Sequence, residues 1–74
     1  MLTEDNIRKA LGPFSKDLKY VGRIKRYIFC AIFETSVDIE EVKKTLKENL
    51  NVKDVQVDKR ESEISMRIYQ KGNN

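Results

Sequence analysis

The sequence contains no histidine, no tryptophan and only one cysteine among its 74 residues. Histidine is the side chain that most often exchanges protons near neutral pH, so histidine-based acid–base catalysis is excluded. One thiol cannot form an internal disulfide or a multi-cysteine zinc site, which excludes a disulfide scaffold. Cys30 lies inside an apolar segment, and we expect it to be an ordinary core residue.

Glycine and proline are also scarce, with three and one residues respectively, and the glycines are isolated from one another. Phosphate-binding loops and dinucleotide-binding turns need clustered glycines, so neither is expected. The carboxylates near Asp38 are explained by helix capping, and those between Asp54 and Glu63 by a solvated turn. We therefore expect a protein that is not an enzyme, with no cofactor, no metal site and no evident small-molecule substrate.

Long apolar runs are missing as well. The longest, Tyr27 to Phe33, is far shorter than the roughly 18 residues that a membrane-spanning helix needs. No N-terminal apolar stretch resembles a signal peptide, so the expected location is cytoplasmic. With 39% hydrophobic and 36% charged residues, the chain can form one compact domain over residues 1–74. Residues 71–74 include no apolar side chain and are expected to fray.

The first half of the chain predicts a helix followed by a strand. Thr3 can cap a helix that runs from Glu4 to Leu11 and stops at the Gly12-Pro13 pair. Residues 15–23 form a polar, basic connector that can include an edge strand. The strongest strand signal extends from Ile24 to Glu34, where apolar residues occupy both alternating faces. Such a strand is expected to be central, with packed material on both of its faces.

The second half predicts a helix and a hairpin. Asp38 can cap a helix over Ile39 to Leu50, and alternating residues then indicate strands around Val55 and Met66. The resulting order is α-β-α-β-β. We therefore predict an α+β fold with two helices and a small sheet of three to four strands, whose β-α-β-β unit is half of a ferredoxin-like fold. This order is similar to the first half of heavy-metal-associated domains, but their CxxC pair before the helix is absent here.

The net charge is only +3, yet the basic residues are unevenly distributed. Five of them fall between Lys16 and Arg26, offset only by Asp17, and tyrosines lie among them. Cations beside exposed aromatic rings can contact the phosphates and bases of nucleic acids. The candidate nucleic-acid site comprises Lys16, Lys19, Tyr20, Arg23, Lys25, Arg26 and Tyr27. The alternative interpretation is that these residues only solubilise a connector, with their rings at the rim of the core.

A competing hypothesis is protein assembly. Three or four strands with one clear covering helix leave a face of the central strand and a sheet edge uncovered. A second copy of the chain, or another protein, would cover them through Ile28, Phe29, Ile32 and Phe33. Within a monomer, the N-terminal helix would have to cover the second face. The sequence favours a non-catalytic binding and assembly module that forms a homodimer, with nucleic-acid binding as the alternative.

Overall fold

The computed structural model describes residues 2–72 and shows an α+β architecture, in which a four-stranded antiparallel sheet carries two α-helices. The elements in chain order are helix α1 (Glu4–Ala10), a 3-10 turn (Gly12–Phe14), strands β1 (Leu18–Lys25) and β2 (Ile28–Phe33), helix α2 (Ile39–Asn49), and strands β3 (Val52–Lys59) and β4 (Ile64–Gln70). The predicted fold class, the two helices and a sheet of up to four strands are confirmed.

The strands lie in the order β1-β2-β4-β3, and each neighbouring pair is antiparallel. Strands β2 and β3 therefore point the same way, with β4 between them and α2 connecting them. Because β4 is inserted between the two parallel strands, it forms the interior of the sheet together with β2. Strands β1 and β3 are the two edges.

Both helices begin at the caps that the sequence predicts. The Thr3 hydroxyl oxygen accepts a hydrogen bond from the Asn6 amide at 3.1 Å, and the Asp38 carboxylate accepts one from the Glu41 amide at 3.2 Å. These contacts satisfy backbone donors that have no partner inside the first turn of a helix. Helix α2 ends one residue before the predicted boundary, and Leu50 continues in an extended conformation towards β3.

The core lies between the sheet and the two helices, all on one side of the sheet. Side chains from α1 and α2 join one buried cluster with alternate residues of β2 and β4. The largest fully buried members of this cluster are Phe29, Phe33, Leu2, Ile7, Leu11, Leu46, Met66, Ile68 and Val42. Among residues 2–72, no helix is long and apolar enough to cross a membrane.

The predicted strand from Ile24 to Glu34 is broken by a turn. The chain reverses at Arg26 and Tyr27, so that Lys25 pairs with Ile28 and the segment forms a hairpin of two strands. An uninterrupted strand would place Lys25 on the same face as the core residue Phe29. Folding back instead removes that charge from the apolar face, which explains why the polar part of the segment belongs to β1.

The expectation of packed material on both faces of the central strand is wrong for the single chain. Strand β2 is interior, as predicted, but only Phe29, Ala31 and Phe33 are buried, whereas its other three residues are partly exposed. The N-terminal helix does not cover the second face, because Ile7 of α1 joins the same cluster as Val42 of α2. The sheet therefore has one covered face and one face without a helix.

One backbone hydrogen bond involves the first residue of the tail, 71–74, that is predicted to fray. The Lys71 amide donates a hydrogen bond to the Asn51 carbonyl oxygen at 3.0 Å, which extends the backbone pairing beyond β4. Gly72 is exposed, and Asn73 and Asn74 lie outside the described residues, as Met1 does.

One matched pair of substitutions tests the one-sided core. Ile68→Val and Ile32→Val remove the same group from opposite faces of neighbouring strands. Ile68 is fully buried, so its truncation should lower the free energy of unfolding by about 1 kcal/mol, whereas Ile32→Val should change it by less than about 0.5 kcal/mol. Denaturant unfolding at low protein concentration measures both. Equal losses would contradict a sheet that is covered on one face only.

Candidate functional site

The candidate site is the helix-free face of the sheet, which we call the open face. Strand pairing arranges its residues in three rows that cross all four strands in the order β1, β2, β4, β3. The first row contains Tyr20, Ile32, Ser65 and Asp58, the second contains Gly22, Cys30, Arg67 and Gln56, and the third contains Lys25, Ile28, Tyr69 and Asp54.

The centre of the open face is apolar. Ile28, Cys30 and Ile32 follow one another along this side of β2, and each is only partly buried by its own chain. The expectation that Cys30 is a core residue is therefore wrong, because strand alternation turns it away from the helices. Its sulfur lies 3.8 Å from the Ser65 hydroxyl oxygen on the neighbouring strand. An interior strand thus presents three apolar side chains to solvent.

Tyrosine rings flank this apolar strip. The Tyr20 side chain is 51% exposed and lies over Gly22, so that the Cβ of an alanine at that position would overlap the phenol hydroxyl. Gly22 provides the space in which the ring can lie along the sheet. On the other side of the strip, the Tyr69 hydroxyl donates a hydrogen bond to the Gln56 side-chain oxygen at 3.2 Å. The two rings widen the apolar surface beyond β2.

The charges of the open face are unevenly distributed. Lys25 lies on β1 and Arg67 on β4, whereas both carboxylates, Asp54 and Asp58, lie on β3, where Lys53 lines a surface hollow together with Asp54. The Arg60 Nε atom is 3.0 Å from Asp58, which partly offsets one of these carboxylates. A hollow of about 190 Å³ lies on the β3 side of the face. It is lined by Gln56, Val57, Asp58, Arg60, Ser65 and Arg67.

The structure does not bring the predicted basic segment together on one surface. Lys19 lies at a bulge, with its Nζ atom 3.6 Å from Glu63 and 3.9 Å from Glu34. Arg23 pairs with Phe29, and its guanidinium carbon lies 5.0 Å from the centre of that ring. Arg23 is therefore on the side opposite to Tyr20. Phosphates could not contact both residues from one side of the sheet.

The remaining members of the segment are spread from the start of β1 to the hairpin turn. Arg26 lies 5.3 Å from the ring centre of Tyr27, and both occupy the exposed turn after β1. Lys16 is exposed before β1 begins. Of the seven residues in the predicted nucleic-acid site, only Tyr20 and Lys25 pair with residues of the open face.

The predicted interface residues divide equally between the two faces. Ile28 and Ile32 lie on the open face and can meet a partner. Phe29 and Phe33 have 0% exposure beneath the helices, so they cannot contact a partner unless the domain opens. Sequence reasoning missed Arg67 and Tyr69. Their alternation with buried residues of β4 was the available signal that they share the opposite face.

Comparison with protein-family models, curated proteins and solved structures returned no match. Across residues 2–72, no group of three or more potential histidine, cysteine or carboxylate ligands is placed to hold a metal ion. The open face combines a partly exposed apolar strip, two tyrosine rings and charges of both signs.

A double-mutant cycle tests the close approach of Tyr20 to Gly22. In the wild-type background, Gly22→Ala should destabilise the protein by about 0.5–1 kcal/mol, because the new methyl group displaces the ring. In a Tyr20→Ala background, the same change should be neutral or stabilising by up to about 1 kcal/mol, since alanine restricts the unfolded chain. Denaturant unfolding of the four proteins gives the coupling energy. Additive effects would show that the ring does not lie over this glycine.

Proposed function

We propose that this protein is a non-catalytic assembly module that self-associates through the open face of its sheet. The observation that supports this proposal is the apolar strip formed by Ile28, Cys30 and Ile32 on an interior strand. In a chain with 36% charged residues, three successive outward positions without a polar or charged group are unexpected for a solvated surface. Contact with a second protein surface would remove them from water.

The open face is small, and its area is typical of a weak complex. Four strands about 4.8 Å apart, over the five residues from Ile28 to Ile32, give a flat area of roughly 300–400 Å². Side-chain relief increases this area, but the total buried by two copies stays near 1,000 Å², at the low end for specific complexes. Buried area does not by itself set affinity, but interfaces this small are typical of weak, transient complexes, and a dissociation constant on the order of 10–100 μM is expected.

Two copies could also associate by pairing their edge strands, but this is less favourable than face-to-face packing. The first edge strand, β1, is irregular. Strand β1 has register shifts between Leu18 and Tyr20 and between Arg23 and Lys25. Bulges disturb the regular row of backbone donors and acceptors that a new strand would need. Lysine and arginine side chains along the same strand add a second obstacle to pairing.

The other edge is more regular, but at least one register is unfavourable for pairing with itself. From Asp54 to Lys59, β3 pairs with β4 without a shift. A two-fold axis that places Gln56 opposite its own copy also places Asp54 opposite Asp58 of the partner subunit, twice. Like charges directly opposite each other destabilise a strand pair. Pairing at either edge would also leave the apolar strip of β2 uncovered, so the open face is the favoured surface.

We also infer that β2, α2, β3 and β4 form the β-α-β-β half of a ferredoxin-like fold. The parallel direction of β2 and β3, with β4 between them, supports this inference. Domains of this kind have one helix-covered face, which leaves the opposite face available for contacts.

Analytical ultracentrifugation between about 10 μM and 1 mM tests the proposal, because the expected constant lies in this range. The wild-type chain should shift from 8.7 kDa towards twice that mass as concentration rises. Ile32→Lys should keep the protein monomeric, since it would bury an ammonium group in the apolar strip.

Glu48→Gln is the matched control for this variant. It makes the same change in net charge on the exposed side of α2, and it should leave the association unchanged. A wild-type protein that stays monomeric up to 1 mM would contradict self-association. Mixed single- and double-stranded oligonucleotides in parallel samples test the alternative: co-sedimentation that is lost in Lys25→Ala but kept in Ile32→Lys would favour nucleic-acid binding.

A further inference from the structure

We propose that two copies pack open face to open face about a two-fold axis that runs parallel to the strands, between β2 and β4. This inference rests on the proposed self-association and specifies its geometry. In this arrangement β1 of one copy lies over β3 of the other, and β2 lies over β4. The observations that select it are the Lys25–Asp54 pair and the relief of the face, while Arg67 lies over Cys30 of the partner subunit.

Face-to-face sheets pack with their strands nearly aligned, so two directions of the two-fold axis are available. An axis across the strands would place each strand over its own copy and would reverse the order of the rows. Arg67 would then lie over Arg67 of the partner subunit, and Asp54 over Asp58 of the partner subunit. Like charges brought together at an interface oppose association, so this direction is unfavourable.

An axis along the strands keeps each row over the same row of the other copy. In the third row, Lys25 lies over Asp54 of the partner subunit, and symmetry repeats this pair at the opposite side. In the same row, Ile28 lies over Tyr69 of the partner subunit. The roughly 30° twist between aligned sheets shifts the row ends by several ångströms, a distance that a lysine side chain can span.

The relief of the open face supports the same direction. The ring of Tyr20 lies on top of the sheet at β1, so this side of the face is raised. The hollow of about 190 Å³ lies at the opposite side, between β3 and β4. In the first row, Tyr20 faces Asp58 of the partner subunit, which lines that hollow. The raised side of each copy is thus placed over the depression of the other.

Within one copy, the two charges of the proposed pair are far apart. Lys25 and Asp54 lie on opposite edge strands, three strand spacings or about 14 Å from each other. Charges at an exposed surface are largely screened beyond about 8 Å at physiological salt. Any strong coupling between these two positions must therefore arise between chains.

Charge-reversal variants test the geometry by analytical ultracentrifugation. Lys25→Asp and Asp54→Lys should each weaken self-association about tenfold, because each creates two like-charge contacts by symmetry. The double variant should regain the wild-type constant. An equimolar mixture of the two single variants should also associate with wild-type strength, since every pair in the heterodimer is again opposite in charge. Far-UV circular dichroism confirms that each variant is folded.

The outcomes separate this geometry from the proposed function. If the wild-type chain associates but neither the double variant nor the mixture recovers the loss, the axis is wrong and the open face remains the interface. Unchanged association in both single variants would also overturn the geometry. If the wild-type chain is monomeric at every concentration, both proposals fail together. Recovery in the mixture would establish that Lys25 of one copy meets Asp54 of the other.

Discussion

The structure depends on the packing of two helices against a single face of a four-stranded sheet. Helices α1 and α2 place their apolar residues in one cluster with the inward residues of the strands. A chain of this length has only enough helix to cover one face, because its two α-helices comprise seven and eleven residues. The other face is left without a helix, and on β2 its three residues are apolar and partly buried.

The sequence predicts the elements that depend on local chemistry. The caps at Thr3 and Asp38 satisfy the first amides of their helices through side chains only three residues away, and both are observed. The C-terminal hairpin follows from alternation along Val52–Lys59 and Ile64–Gln70. In each case the residues that predict the feature lie in the same helical turn or strand pair as the feature itself. Local patterns of this kind carry no information about which side of the sheet a helix will cover.

The features that could not be predicted are those set by tertiary contacts. The turn at Arg26 and Tyr27 has no glycine, asparagine or aspartate, the residues that favour tight hairpin turns. Across residues 2–72 no residue has a positive φ, so this reversal uses backbone conformations open to any side chain. The apolar residues of β2 were interpreted as buried on both faces, because the sequence does not distinguish an apolar side chain on a partly exposed face from one in a core.

The unpredicted turn and the proposed assembly are linked by Lys25. With an uninterrupted strand, this lysine would share the helix-covered face with Phe29, and Arg26 would lie on the other face with Ile28. The hairpin moves it into register with Ile28, at the end of a row whose other end is Asp54. The reversal removes a charge from the core. In the proposed dimer it also places Lys25 over Asp54 of the partner subunit.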